Sequence, residues 1–295
     1  MFKEYFHHLR EKYGKLPSGY KDRAIDWFFA ANDNCPMILE TSKVAVLSAE
    51  RFNINKYCVY SGGIDEYVKF LEAHQVTVLR EKFSLEAQLK RMRPDLYDIG
   101  SGAYLRIDIP DVILKYRLPV GEYFLYTDCD VMFQNDPVDK LLRLRPDTLS
   151  ASSEHSKVRT NYFNSGIMWI NLLEAQRSSV KLKESIVDHK FSFESFNKCP
   201  FDQGALNHFY GKHYNFLDTR FNWKPYWGKN EDAFIIHFHG PKPAHYRHYK
   251  ETKEIMEPVF ECFLNDRTAE AYDFYVNIFF DFLESGANRN LKGDK

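Results

Sequence analysis

The sequence predicts an α/β protein built on a parallel sheet with helices on both faces. Apolar runs of strand length recur at Ile25–Ala31, Tyr57–Tyr60, Val76–Leu79 and Tyr123–Thr127, segments of helical period separate the first three, and polar or glycine residues close the runs. Taken in order, Phe2, Tyr5, Phe6, Leu9 and Tyr13 fall at helical spacing before Gly14 and the turn Pro17-Ser18-Gly19, so residues 1–23 read as a helical appendage. The first strand runs into Asn32-Asp33-Asn34, and a helix then opens with Pro36 in its first turn. After the second strand the turn Ser61-Gly62-Gly63 leads to a helix ending near His74. Thr148–Ala151, Gly166–Asn171 and Phe234–Phe238 are further strand candidates. Residues 24–250 form the main domain on this reading, and residues 251–295 a helical region with a loose tail from Ser285. Between Ala271 and Leu283 that region is apolar almost all round, with a narrow polar stripe of Asp273, Asn277 and Asp281 that carries negative charge. Such a face suits packing on the body, or on a second copy in a homo-oligomer, better than anionic lipid.

The chain of 295 residues carries 40 basic and 41 acidic side chains, a net charge of -1, which lacks the signature of a nucleic-acid binder. With 44% hydrophobic and 27% charged residues it has the material for a core. The five cysteines are scattered and unpaired in sequence, the usage of reduced thiols, and the first residues hold no apolar leader. A cytoplasmic location is expected, with Lys3, Arg10, Lys12 and Lys15 leaving open a peripheral anchor at the inner face of a membrane.

The chemistry begins at Asp128-Cys129-Asp130. Carboxylates this close at the end of a buried strand need a compensating cation to remain ionised, and oxygen ligands suit Mn or Mg. His237 and His239 alternate at the end of another apolar run and so share a face, directly before Gly240-Pro241-Lys242-Pro243. Glycine lets backbone N–H groups approach a phosphate and Lys242 adds a point charge. An imidazole among the ligands tilts the ion toward Mn²⁺, with Mg²⁺ as the alternative.

These motifs resemble the retaining glycosyltransferases of family 8, over Ala24 to His245. Ala30-Ala31-Asn32-Asp33-Asn34 is similar to the family's nucleotide-binding strand end, Tyr104-Leu105-Arg106 to its donor-facing helix, and Tyr126-Thr127-Asp128-Cys129-Asp130 to its metal motif. Tyr162-Phe163-Asn164-Ser165-Gly166, Asp202-Gln203-Gly204 and His237-Phe238-His239-Gly240 with Lys242-Pro243 follow in the family's order. The resemblance implies a GT-A fold, a Rossmann-like mixed and mostly parallel sheet, and a nucleotide-sugar donor with a carbohydrate acceptor, lipid-linked or polymeric. It implies that Asp128, Asp130 and His237 hold Mn²⁺. Ala30, Asn32, Asp33, Asn34 and Cys129 would lie around the nucleotide, and Gly240 and Lys242 would face the diphosphate. Arg106, Asn164, Ser165 and Asp202 would position the sugar, with Gln203 near the anomeric carbon. The chain departs from the family where Asn32 replaces a frequent Asp, Cys35 a Tyr and Ala244 a Trp, changes that bear on the base, with uridine diphosphate expected, and on closure over the diphosphate.

A neutral amide at position 203 is a poor nucleophile, so the expected course is front-side transfer with retention, the leaving phosphate oxygen taking the acceptor proton. A binding module without turnover is the alternative. A dehalogenase-like phosphatase is disfavoured because Val131-Met132-Phe133 follow the acidic motif in place of Gly and Thr.

Overall fold

The computed structural model describes residues 24–193 and 201–290. The predicted appendage over residues 1–23 lies outside them. Along the chain run β1 (Ile25–Asn32), α1 (Pro36–Ala49), β2 (Ile54–Ser61), α2 (Asp65–Ala73), β3 (Val76–Arg80), α3 (Glu86–Met92), α4 (Tyr97–Ala103), α5 (Leu105–Tyr116) and β4 (Tyr123–Thr127). There follow β5 (Val131–Phe133), α6 (Val138–Leu141), β6 (Leu149–Ser153), β7 (Phe163–Asn171), α7 (Leu172–Asp188), α8 (Asp202–Tyr210), β8 (Asn215–Phe216), β9 (Ile235–His237), α9 (Pro243–Thr252) and α10 (Asp266–Asn290).

The main sheet has the order β3-β2-β1-β4-β7-β6-β8. Strands β1 to β4 are parallel, and β1 is buried on both sides because its alternating side chains feed separate cores. Phe28 joins one cluster with Tyr57, Phe124 and Tyr126, while Trp27 and Phe29 join another with Cys58, Phe133 and Trp169. Strand β7 then runs antiparallel to β4, pairing Thr127 with Ile167, and the Asp128 N–H donates to the Gly166 carbonyl at 2.7 Å. That reversal sets Asn164 and Ser165, at the start of β7, beside the carboxyl end of β4, where ligands of open α/β sheets bind.

The strand expected at Phe234–Phe238 leaves the main sheet. Its ordered part, β9, pairs antiparallel with β5 as a separate ribbon, with Val131 opposite His237. Alternation of side chains reads the same in either sheet, so the sequence pattern carried no sign of this. Helix α10 continues to Asn290, past the Ser285 at which a tail is expected, and its residues Ala271, Tyr272, Tyr275 and Phe279 are buried against Phe238 and Tyr246. Among the described residues no helix is long and apolar enough to cross a membrane.

Candidate active site

Asp128 and Asp130 leave β4 just as its main-sheet pairing ends, and the β5–β9 ribbon returns His237 to them across more than a hundred residues of sequence. One donor atom from each of the three lies within 4.8 Å of the others. His237 Nε2 is 3.4 Å from Asp130 Oδ1 and 3.9 Å from Asp128 Oδ2. The close approach depends on Gly166, where a Cβ would stand 2.3 Å from His237 Cε1 and 2.7 Å from Asp128 Oδ2. Two carboxylates and one imidazole around a hollow that only glycine leaves open are a donor set that fits a divalent cation of the Mn or Mg kind.

Protein cations brace each carboxylate. Lys242 Nζ reaches Asp130 Oδ2 at 2.5 Å and the Phe238 carbonyl at 2.9 Å. Burial alone would raise the Asp130 carboxyl, but Lys242 and His237 outweigh it and hold the group well below the usual carboxylate range. Lys242 is aimed by the residues around it. Gly240 at φ +84° turns the chain in the left-handed region, and Pro243 then opens α9 with Lys242 as its N-cap residue.

Arg106, near the start of α5, lies under Asp128 and Asp202. Its Nη2 is 2.7 Å from Asp128 Oδ1 and its Nε 2.9 Å from Asp202 Oδ2, while Nη1 donates to the Ser165 carbonyl at 2.9 Å. Its guanidinium also stacks over the Tyr126 ring at 4.7 Å. The side chain expected to face a donor is therefore committed to holding two carboxylates and the β7 backbone. Burial pushes the Asp202 carboxyl up to about 6, with Arg106 pulling in the opposite direction.

Gln203 accepts at Oε1 from the Ser165 N–H at 3.0 Å and from Asn164 Nδ2 at 3.2 Å. Because the backbone N–H can only donate, the amide orientation of Gln203 is fixed and its Nε2 donor has no partner among the described residues. Asn164, Ser165, Asp202 and Gln203 thus form one group beside the Asp128–Asp130–His237 cluster.

At the end of β1, Asn32 donates to Ser101 Oγ at 3.1 Å, and Asn34 to the Asp98 carbonyl at 2.8 Å. Asp33 accepts from the Tyr60 hydroxyl and from the Gly63 N–H at 2.6 Å. Asn32 and Asn34 tie the strand end to α4, and Asp33 ties it to the loop after β2. Ala30 is half-buried in β1, and Cys129 turns its thiol inward to the Ala30 carbonyl at 3.1 Å. Any part Cys129 plays at the site runs through its backbone.

Sequence reading passed over a buried polar set behind these residues. Glu154, which follows β6, binds His239 Nε2 through Oε1 at 3.0 Å and accepts from Asn164 Nδ2 at Oε2, 2.6 Å away. Lys224, fully buried, donates to the Glu154 and Ser153 carbonyls, and Asn222 joins Asn164 to His237. Burial lowers Lys224 to about 8 against the pull of Glu154, and lowers His239 to about 4 against the same carboxylate. The one sequence signal was a charged residue directly after a strand of small residues, and Glu154-His155 at the end of β6 has that form.

The family model described as Glycosyl transferase family 8 matches residues 43–247. No curated protein matches the sequence. Among solved structures, the galactosyltransferase LgtC in complex with donor and acceptor sugar analogs is similar, with TM-score 0.57 and 18% identity, covering 84% of this chain and 95% of LgtC. An active-site mutant of LgtC gives TM-score 0.58 at 16% identity over the same shares. The glycosyltransferase GlyE of Streptococcus pneumoniae TIGR4, in its apo form, gives TM-score 0.55 at 16% identity, covering 90% of this chain and 64% of GlyE. The fold is GT-A, a mixed and mostly parallel sheet flanked by helices.

Proposed function

Since the chain belongs to glycosyl transferase family 8, we propose that it moves a hexosyl group from a uridine diphosphate sugar to a carbohydrate acceptor, with retention and with Mn²⁺ bound. The observation that carries this reading is the convergence of Asp128, Asp130 and His237 within 4.8 Å beside Lys242. A bound divalent cation supplies Lewis-acid neutralisation of the diphosphate as negative charge grows on it. Asp128, Asp130 and His237 would hold it, and Lys242 would add a second positive charge on the leaving side. Asn32, Asp33 and Asn34 would border the nucleoside, and the Gly240 backbone would face the phosphates.

On the sugar side, Asp202 orients the ring, Asn164 holds the Gln203 side chain in place, and Gln203 Nε2, without a partner among the described residues, would donate toward the reaction centre. Gln203 offers no anionic oxygen for a covalent intermediate, so a leaving phosphate oxygen takes the proton of the acceptor hydroxyl on the same face. Arg106 fixes Asp128 and Asp202 relative to each other and so sets the cation side against the sugar side.

A panel of uridine and guanosine diphosphate sugars, screened with Mn²⁺ for nucleotide release, tests the reading. Release from a uridine donor that is lost in Asp130→Ala and only reduced in Gln203→Ala is expected. Tight nucleotide-sugar binding with no release would make the chain a binding module, and a glycosyl adduct trapped on Asp202 would overturn the front-side course.

A further inference from the structure

The polar side chains behind the site form a hydrogen-bonded series whose direction follows from which atoms can only accept and which can only donate. Its start is Glu154. Burial would raise this carboxyl, but His239 and Lys224 outweigh burial and hold it well below the usual range, so both oxygens accept. Asn164 accordingly turns Nδ2 toward Glu154 Oε2, at 2.6 Å. Its Oδ1 then faces the other way, and the Gly166 N–H, which can only donate, meets it there at 3.1 Å. Two independent partners thus assign the same amide orientation.

The Asn164 Oδ1 also accepts from Asn222 Nδ2 at 2.8 Å. That contact turns the Asn222 oxygen toward His237 Nδ1, 2.9 Å away. An amide oxygen there requires a proton on Nδ1, which in a neutral ring leaves the lone pair on Nε2, the nitrogen that faces Asp130 and Asp128. Asn222 is fully buried and has no route to solvent for an alternative partner.

We propose that Asn222 is a positioning residue that locks His237 in the Nδ1–H tautomer and thereby couples the cation site to the Asn164–Gln203 pair on the sugar side. The inference rests on the reading of Asp128, Asp130 and His237 as cation ligands. It makes Asn222 a second link between the two halves, beside Arg106: its oxygen serves the ligand, and its NH₂ group serves Asn164. Loss of an outer partner of a metal-bound histidine commonly weakens metal binding by about 10- to 100-fold.

Two substitutions separate the two contacts. Asn222→Ala removes both, whereas Asn222→Asp still accepts from His237 Nδ1–H but has no hydrogen to give Asn164. Mn²⁺ is titrated into the full chain without nucleotide and followed by electron paramagnetic resonance, with thermal melting to confirm folding. Asn222→Ala should weaken Mn²⁺ binding about tenfold or more, while Asn222→Asp stays within about threefold of the parent yet loses nucleotide release. Histidine nitrogen NMR of the metal-free parent should report His237 protonated at Nδ1, a readout that needs neither variant to fold. A folded Asn222→Ala with parental affinity, an Asn222→Asp as weak as Asn222→Ala, or a parent ring without a proton on Nδ1 would each overturn the role of Asn222. A parent chain that takes up no Mn²⁺ would instead remove the ligand reading beneath it.

Discussion

The guanidinium of Arg106 binds Asp202 through Nε at 2.9 Å, and its Nη2 binds Asp128 at 2.7 Å. One buried cation thus joins a residue of the Asp128–Asp130–His237 cluster to a residue of the Asn164–Ser165–Asp202–Gln203 group. A fixed fork does this in a way that the point charge of lysine does not reproduce. Arg106→Leu leaves the buried Asp202 and the partly exposed Asp128 without their partner and should cost about 3–5 kcal/mol of stability, measured by urea unfolding. Arg106→Lys should fold but lose turnover, because one ammonium cannot span both carboxylates and the Ser165 carbonyl.

Asp202 gives a pH signature of definite sign. Its carboxyl is pushed up to about 6 in the fold from an ordinary value of 3.8, burial being the largest cause. Between those two values the folded state holds a proton that the unfolded state has released, so stability falls as pH rises through the window. Above about pH 6 the loss is complete, on the order of 3 kcal/mol. Unfolding measured at steps from pH 4 to pH 7 should show this decline in the parent chain and a flatter profile in Asp202→Asn, which has no proton to release.

The loop after β2 offers an adjacent pair of glycines with opposite expectations. A Cβ on Gly62 would lie 2.2 Å from Asp33 Oδ1, whereas a Cβ on Gly63 would meet nothing within 4 Å. Gly62→Ala should displace Asp33 from the Tyr60 hydroxyl and the Gly63 N–H and raise the KM for the nucleotide donor by about tenfold, the loss of roughly one charged hydrogen bond. Gly63→Ala should leave KM where it was. Equal KM values in the two variants would detach Asp33 from the donor site.

The strands of the main sheet were legible because β1, β2 and β4 are buried on both faces and so read as continuous apolar runs. The acidic pair at 128 and 130 and the histidine at 237 were legible because their residue types are rare in the company of buried strands. The direction of β7 and the departure of β9 into its own ribbon were not, since alternation has no arrow and names no neighbour. Glu154, Asn222 and Lys224 were missed for a different reason. Each is a single polar residue within a loop or an aromatic stretch, and its meaning arises only when distant segments bury it. Arg106 stood out as a donor-facing cation, but spacing along α5 could not reveal that Asp128, Asp202 and Ser165 take up its hydrogen bonds.

The ribbon between β5 and β9 has a consequence for how the molecule matures. Val131 meets His237 only after nearly all of the sheet-forming sequence has been synthesised and the intervening chain has closed on itself. Closure of so long a loop comes late in folding because its entropy must be offset before the contact exists. A chain cut before Ile235 would keep all seven strands of the main sheet and their crossover helices but would lack His237, the third member of the cluster. On the proposed reading, ion uptake would report completion of the whole domain, and a ligand that binds only the completed form favours it over every shorter intermediate.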